Sequence, residues 1–211
     1  AEIKEIKIYV SLDNLFSLKN FNITEVILEN VNFELNNKNY NFLINILDNS
    51  FLNTSFQIKN SNIFFRNKEN EVLFINKIKN LKYYYDPNEL KNILFSENEI
   101  FNIPFSLEII NNKDEKKLDT KLNLNLLGLK IENIHNYSDE IKSGLTTLNF
   151  KKTKSFLNYK ASKNFFEFSY YNDSDKKKFL YNGKLNFKPF YSTLEGNAEE
   201  INISYVFGSR A

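Results

Sequence analysis

Between Phe101 and Ile131 the chain sets its apolar residues at every second position. Phe101, Ile103, Phe105, Leu107 and Ile109 alternate with Asn102, Pro104, Ser106 and Glu108. After a charged turn, Leu118, Leu122, Leu124 and Leu126 alternate with Asp119, Lys121, Asn123 and Asn125. A repeat of two puts one set on one face of a strand and the other set on the opposite face. The same rhythm recurs along most of the chain. It predicts a mainly β protein, a sheet with one apolar and one hydrated side.

Strands are expected around Ile6–Val10, Ile23–Leu28, Val31–Leu35, Ser55–Asn60, Asn62–Arg66 and Val72–Tyr85, then over Phe101–Ile110 and Leu118–Ile131. Leu145–Lys151, Phe156–Ala161, Phe165–Tyr171, Phe179–Phe187 and Ile201–Phe207 continue the series. The alternation changes phase at Leu126-Leu127, which points to a bulge near Gly128. Short polar loops such as Asn67–Asn70 make sequence neighbours antiparallel neighbours in space. Helices are few and short. Tyr40, Leu43, Ile44 and Leu47 have helical spacing within Lys38–Leu47. Asp86-Pro87-Asn88-Glu89 offers a cap, a proline at the first position and an acid three residues after the cap, and predicts a brief helix burying Leu90, Ile93 and Leu94. Ser11–Phe16 reads as a short turn or helical turn, and Ser138–Lys142 as one helical turn closed by Gly144.

Composition supports a sheet with real apolar surface. The hydrophobic fraction is 42% and the aromatic fraction 16%, which argues against intrinsic disorder despite the many Asn and Lys. Phe (21) and Tyr (12) supply the bulk and favour half-buried pleated surfaces. With only 5 Gly and 3 Pro, Asn and Asp must make most turns. The enriched residue types have A/T-rich codons, so the Asn excess needs no functional reading, prion-like or otherwise. Asn-x-Ser/Thr matches at Asn22, Asn136 and Asn202 are what this bias produces by chance.

Charge and residue types exclude several chemistries. The net charge is only +2, and Arg66 and Arg210 are the only arginines, which argues against readout of nucleic acid. Lys176-Lys177-Lys178 sits beside Asp173 and Asp175 and reads as a solvated hairpin tip. There is no cysteine, hence no disulfide, thiolate nucleophile or cysteine metal site. His135 is the single histidine, so a triad or two-histidine metal site is excluded by count, and its setting between Asn133 and Asn136 suggests a loop. The acidic pairs Asp114-Glu115, Asp139-Glu140 and Glu199-Glu200 fall in predicted turns. Catalytic residues and cofactors are therefore expected to be none. No stretch approaches the ~18 apolar residues of a membrane span. Ala1–Val10 carries Glu2, Lys4, Glu5 and Lys7 and is no signal peptide, so the chain is expected to begin inside a domain, with any anchor outside it.

One stretch is more specific than pattern. Ile58-Lys59-Asn60-Ser61-Asn62-Ile63-Phe64-Phe65-Arg66-Asn67, followed by Glu71–Ile78 with Asn76-Lys77-Ile78, resembles the AsmA-like family of bacterial envelope proteins, whose members carry an i-x-n-s-x-i-x-f strand, a polar hairpin and a strand with n-x-i. Leu81–Tyr85, Asp86–Leu94, Glu99–Phe105 and Asn182–Phe190 are similar to alphaproteobacterial members, and the likeness spans Ile23 to Ser204. The resemblance implies a long, curved antiparallel sheet forming a groove, in a periplasmic protein tethered to the inner membrane by a helix that this chain lacks. It implies a bridge-like carrier of phospholipid acyl chains serving outer-membrane assembly, with no cofactor and no nucleic-acid partner. Residues 1–211 would be one β-rich segment of a larger periplasmic region. Phe101, Ile103, Phe105, Leu107, Leu122, Leu124, Phe166, Phe168, Leu185 and Phe187 are the expected groove lining.

Alternation alone does not choose between an open groove and a closed core, since both bury the same side chains. The alternative is therefore a structural or adhesive β module with an ordinary core and no ligand. A third reading, an enzyme of carbohydrate or phosphate chemistry, requires carboxylates converging in a cleft.

Overall fold

The computed structural model describes residues 2–12, 21–36, 54–138, 140–173 and 180–197. They form one long, open, curved sheet of 14 strands. The strands are β1 (Glu5–Leu12), β2 (Phe21–Glu29), β3 (Asn32–Leu35), β4 (Ser55–Arg66), β5 (Val72–Asp86), β6 (Lys91–Ile100) and β7 (Ile103–Asn112). There follow β8 (Lys117–Leu124), β9 (Leu129–Asn136), β10 (Lys142–Phe150), β11 (Thr153–Ala161), β12 (Phe165–Asp173), β13 (Leu180–Phe187) and β14 (Phe190–Asn197). From β4 to β14 every strand pairs antiparallel with the next, as short polar loops require.

The exception lies at β4, which pairs in parallel with β2 and then with β3. The residues behind the family resemblance explain this break. Asn60 adopts a left-handed φ of 47° and Asn30 one of 55°, a conformation Asn tolerates better than most residues. Both strands therefore kink side by side. Ser61 locks the kink: the Val31 N–H donates to Ser61 Oγ at 3.0 Å, and Ser61 Oγ donates to the Lys59 carbonyl at 2.7 Å. Asn62 Nδ2 donates to Asn32 Oδ1 at 3.0 Å one step on.

Two expected helical turns are strand or hairpin here, and an expected bulge is a chain reversal. Asp86 does accept backbone N–H groups, from Asn88 at 2.9 Å and Glu89 at 3.3 Å, but it caps a hairpin turn. Leu90 leaves that turn at φ 55°, and Lys91–Ile100 is strand β6, paired to β5 from Lys91↔Asp86 through Ile100↔Asn76. Ile93 (β-branched) and Phe95 (aromatic) favour the pleat once a partner strand is present. The phase change at Leu126-Leu127 is a reversal and not a bulge: a 3-10 turn over Asn125–Leu127, ended by Gly128 at φ 62°, separates β8 from β9. Gly144 closes no helical turn and lies inside β10. The expected helix over Lys38–Leu47, the Lys176–Lys178 tip and the strand Ile201–Phe207 lie outside the described residues.

Among the described residues, substantial contacts join strands adjacent in the sheet, with the Asn125–Leu127 turn against β7 and β9 the one addition. Among these residues no second layer of sheet or helix is stacked on either face. Buried hydrophobic side chains are few and gather in and beside β2, β4 and β5: Ile27, Val31, Ile58, Ile78 and Tyr83. The chain exposes 15318 Å². A compact 25.0 kDa chain is expected to expose about 10,200 Å².

Candidate functional site

Register sorts the side chains into two faces. Leu107 lies opposite Leu122, Leu122 opposite Ile131, and Ile131 opposite Leu148. Leu148 lies opposite Ser155 and Thr146 opposite Leu157, and Leu157 in turn faces Tyr170. Phe166 pairs with Leu185, and Phe187 with Phe190. By the two-residue alternation these residues share one face with Ile103, Phe105, Leu124, Phe168, and on β4 and β5 with Ile58, Ile63, Ile78 and Tyr83. Nine of the ten residues expected to line a groove therefore stand on one face. The tenth, Phe101, sits in the turn before β7 at φ 52° and is 74% exposed, with its ring 6.4 Å from that of Phe74.

Aromatic rings pave part of this face. His135, Tyr159, Phe166 and Phe168 follow one another with ring centroids 5.9, 6.0 and 6.0 Å apart. Glycine makes room for three rings lying flat across the neighbouring strand. Gly144 is paired with Tyr159, Gly183 with Phe168 and Gly196 with Tyr181, and a methyl group built on any of them would overlap the ring. His135 is thus a strand residue of this face, not a loop residue. Its Nδ1 lies 3.0 Å from the Tyr159 hydroxyl, which donates to Asn133 Oδ1 at 3.1 Å, and Thr146 Oγ1 donates to the same Oδ1 at 2.9 Å. Burial, and then the charge of Lys142, holds the His135 pKa below its ordinary value.

The opposite face is charged and self-neutralising. Lys121 stands across from Glu108 with Nζ 2.9 Å from Oε2, and this bond is the main cause of its raised pKa. Lys184 stands across from Glu167 at 2.5 Å, and Lys77 across from Glu99 at 2.7 Å. A broad depression of about 740 Å³ crosses this face from β9 to β14, between walls that include Asn158, Lys160, Glu167, Asn182, Lys184 and Glu195. The larger hollow thus belongs to the hydrated face. The apolar face is marked out by its side chains and not by depth.

Among the described residues no three metal-ligating side chains come together. Asp114 and Glu115 occupy the β7–β8 turn, where the Glu115 N–H donates to Asn112 Oδ1 at 3.0 Å. Sequence reasoning missed the polar groups of the apolar face: Asn92, Asn98 and Asn111 are buried there beside Ser61 and Ser96. Alternation carried the only signal, since each occupies an apolar-phase position of its strand.

Among the described residues the fold is a single-layered, open β-sheet with one mainly apolar face, into which Ser61, Asn92, Ser96, Asn98 and Asn111 are set. No family model, curated protein or solved structure matches the chain.

Proposed function

We propose that the apolar face carries the acyl chains of phospholipids, as a segment of an envelope protein serving lipid transport and outer-membrane assembly. The observation that carries this reading is the missing second layer. Domains bury an apolar sheet face against another element. Here, among the described residues, nothing is stacked over Leu107, Leu122, Ile131 and Leu148. Removing apolar surface from water is worth about 25 cal/mol per Å², so a bare face of this extent calls for a cover. Acyl chains suit it because they ask for a continuous apolar track and no directional contacts. Asn, Lys and Glu on the other face keep the ribbon hydrated. The same observation speaks against the alternative of a closed β module with an ordinary core. The scattering of Glu99, Glu108 and Glu167 into cross-strand ion pairs speaks against a carboxylate enzyme.

Gentle native extraction followed by lipid mass spectrometry tests the reading. Stoichiometric phospholipid on the purified chain is expected. A lipid-free, compact monomer would overturn it.

A further inference from the structure

The hydrated face is not uniform. Across β7 to β9 its charges take each other up: Lys117 pairs with Asp119, Lys121 with Glu108 and Lys130 with Glu132. The hollow that crosses β9 to β14 differs. Register builds it from two rows of side chains, each row taking one residue from every strand. The first row runs from Ile134 and Leu145 through Asn158, Ser169 and Asn182 to Glu195. The second runs from Asn136 and Ser143 through Lys160, Glu167 and Lys184 to Thr193. Every member of both rows is a wall of the hollow. Inside the rows Glu167 holds Lys184 at 2.5 Å, and Ser169 Oγ donates to Asn182 Oδ1 at 2.6 Å. The side chains of Asn136, Ser143, Asn158, Lys160, Thr193 and Glu195 have no hydrogen-bond or ionic partner among the described residues.

We propose that this hollow binds an uncharged, hydroxyl-rich ligand, an oligosaccharide laid across the strands. The site lies on the face opposite the proposed acyl track and does not depend on what covers that track. Two lysines and two glutamates stand in its walls, so no net charge selects an anion or a cation. A sugar hydroxyl both donates and accepts, and the free groups offer both: ammonium and amide N–H as donors, carboxylate and amide oxygens as acceptors, and the Ser143 and Thr193 hydroxyls as either. Ile134, 40% exposed, and Leu145 give the C–H face of a sugar ring an apolar seat at one end. Exposed rings flank the rows on the same face, Tyr191 beyond Thr193 and Tyr171 beyond Ser169, the latter stacked on Phe156 at 4.8 Å. The hollow's 740 Å³ is within the range of about 300–1,000 Å³ usual for ligand sites. Its long axis follows from the rows, which cross five interstrand steps of about 4.8 Å, roughly 24 Å. That length seats several linked rings.

The test titrates the whole chain, by calorimetry, with cellotetraose, N-acetylated chitotetraose and maltotetraose, with glucose and N-acetylglucosamine, and with tetragalacturonic acid. At least one neutral tetrasaccharide should bind with a Kd below about 1 mM, and at least about tenfold tighter than its monosaccharide. The comparison variant is N158A/T193A, whose two side chains are exposed and hold no other part of the sheet. It should keep the wild-type circular dichroism and bind that tetrasaccharide about tenfold more weakly. K130A, on the same face outside the hollow, should bind as the wild type does. Failure of all three neutral tetrasaccharides to reach that Kd, or equal affinity in N158A/T193A, overturns the site. Tighter binding of tetragalacturonic acid than of any neutral chain makes the hollow an anion site and overturns the uncharged ligand.

Discussion

Asn92 sets the balance at the scale of single residues. Its amide is out of water with neither atom paired, and such a group costs about 1–3 kcal/mol. Asn92→Leu should therefore raise the free energy of unfolding in urea by about 1–2 kcal/mol. A loss of stability would mean that the amide has a structural partner. His135 makes a second prediction. Its folded pKa lies below the ordinary value, so between the two the unfolded chain holds more protons and stability rises with pH. Its contribution is complete above the unfolded value of about 6.5 and is lost as pH falls through the folded one. Unfolding titrations at falling pH should show this loss in the wild type and a smaller one in His135→Gln. Equal profiles would place the histidine in water. None of this was legible from the lone histidine between two asparagines, because the ring's surroundings come from Tyr159, 24 residues away.

At the scale of elements, the strands that alternate strictly were readable and the joints were not. Phe105 to Ile109 and Leu118 to Leu124 lie where their period puts them, since a one-residue slip would turn every leucine to water. The misread joint is Asp86–Leu90. A side chain that caps a helix uses the same bonds to cap a turn, and only the pairing of β6 with β5 decides between them. Asn60-Ser61-Asn62 stood out as a motif, but its purpose needed the partner strand. Ser61 supplies a side-chain acceptor for the N–H of the fully buried Val31 at the kink where β2 passes into β3. Ser61→Ala should cost about 1–3 kcal/mol by orphaning that donor, measured by thermal or denaturant unfolding. A change within experimental error would show that the kink does not depend on the bond.

At the scale of the molecule, the sheet extends over 13 strands in its main path, roughly 60 Å at about 4.8 Å per strand. Its breadth comes from uninterrupted hairpins; its openness comes from the lack of any second apolar layer among the described residues. The faces were legible in the sequence. What covers the apolar one was not, because period-two patterning is the same beneath a protein layer and beneath hydrocarbon. The charged pairs of the other face add little stability in water, yet directly opposed Glu and Lys help to hold register.

If lipid covers the apolar face as proposed, Phe105 and Leu124 stand against hydrocarbon and not against protein. Phe105→Glu and Leu124→Glu, singly and together, should be purified natively and compared with the wild type for bound phospholipid by mass spectrometry and for folding by circular dichroism. The account predicts that lipid is lost while the β signal and cooperative unfolding persist. Unfolding of each variant, as a charge buried in a sealed interior would cause, or full lipid occupancy in the double variant, would contradict it.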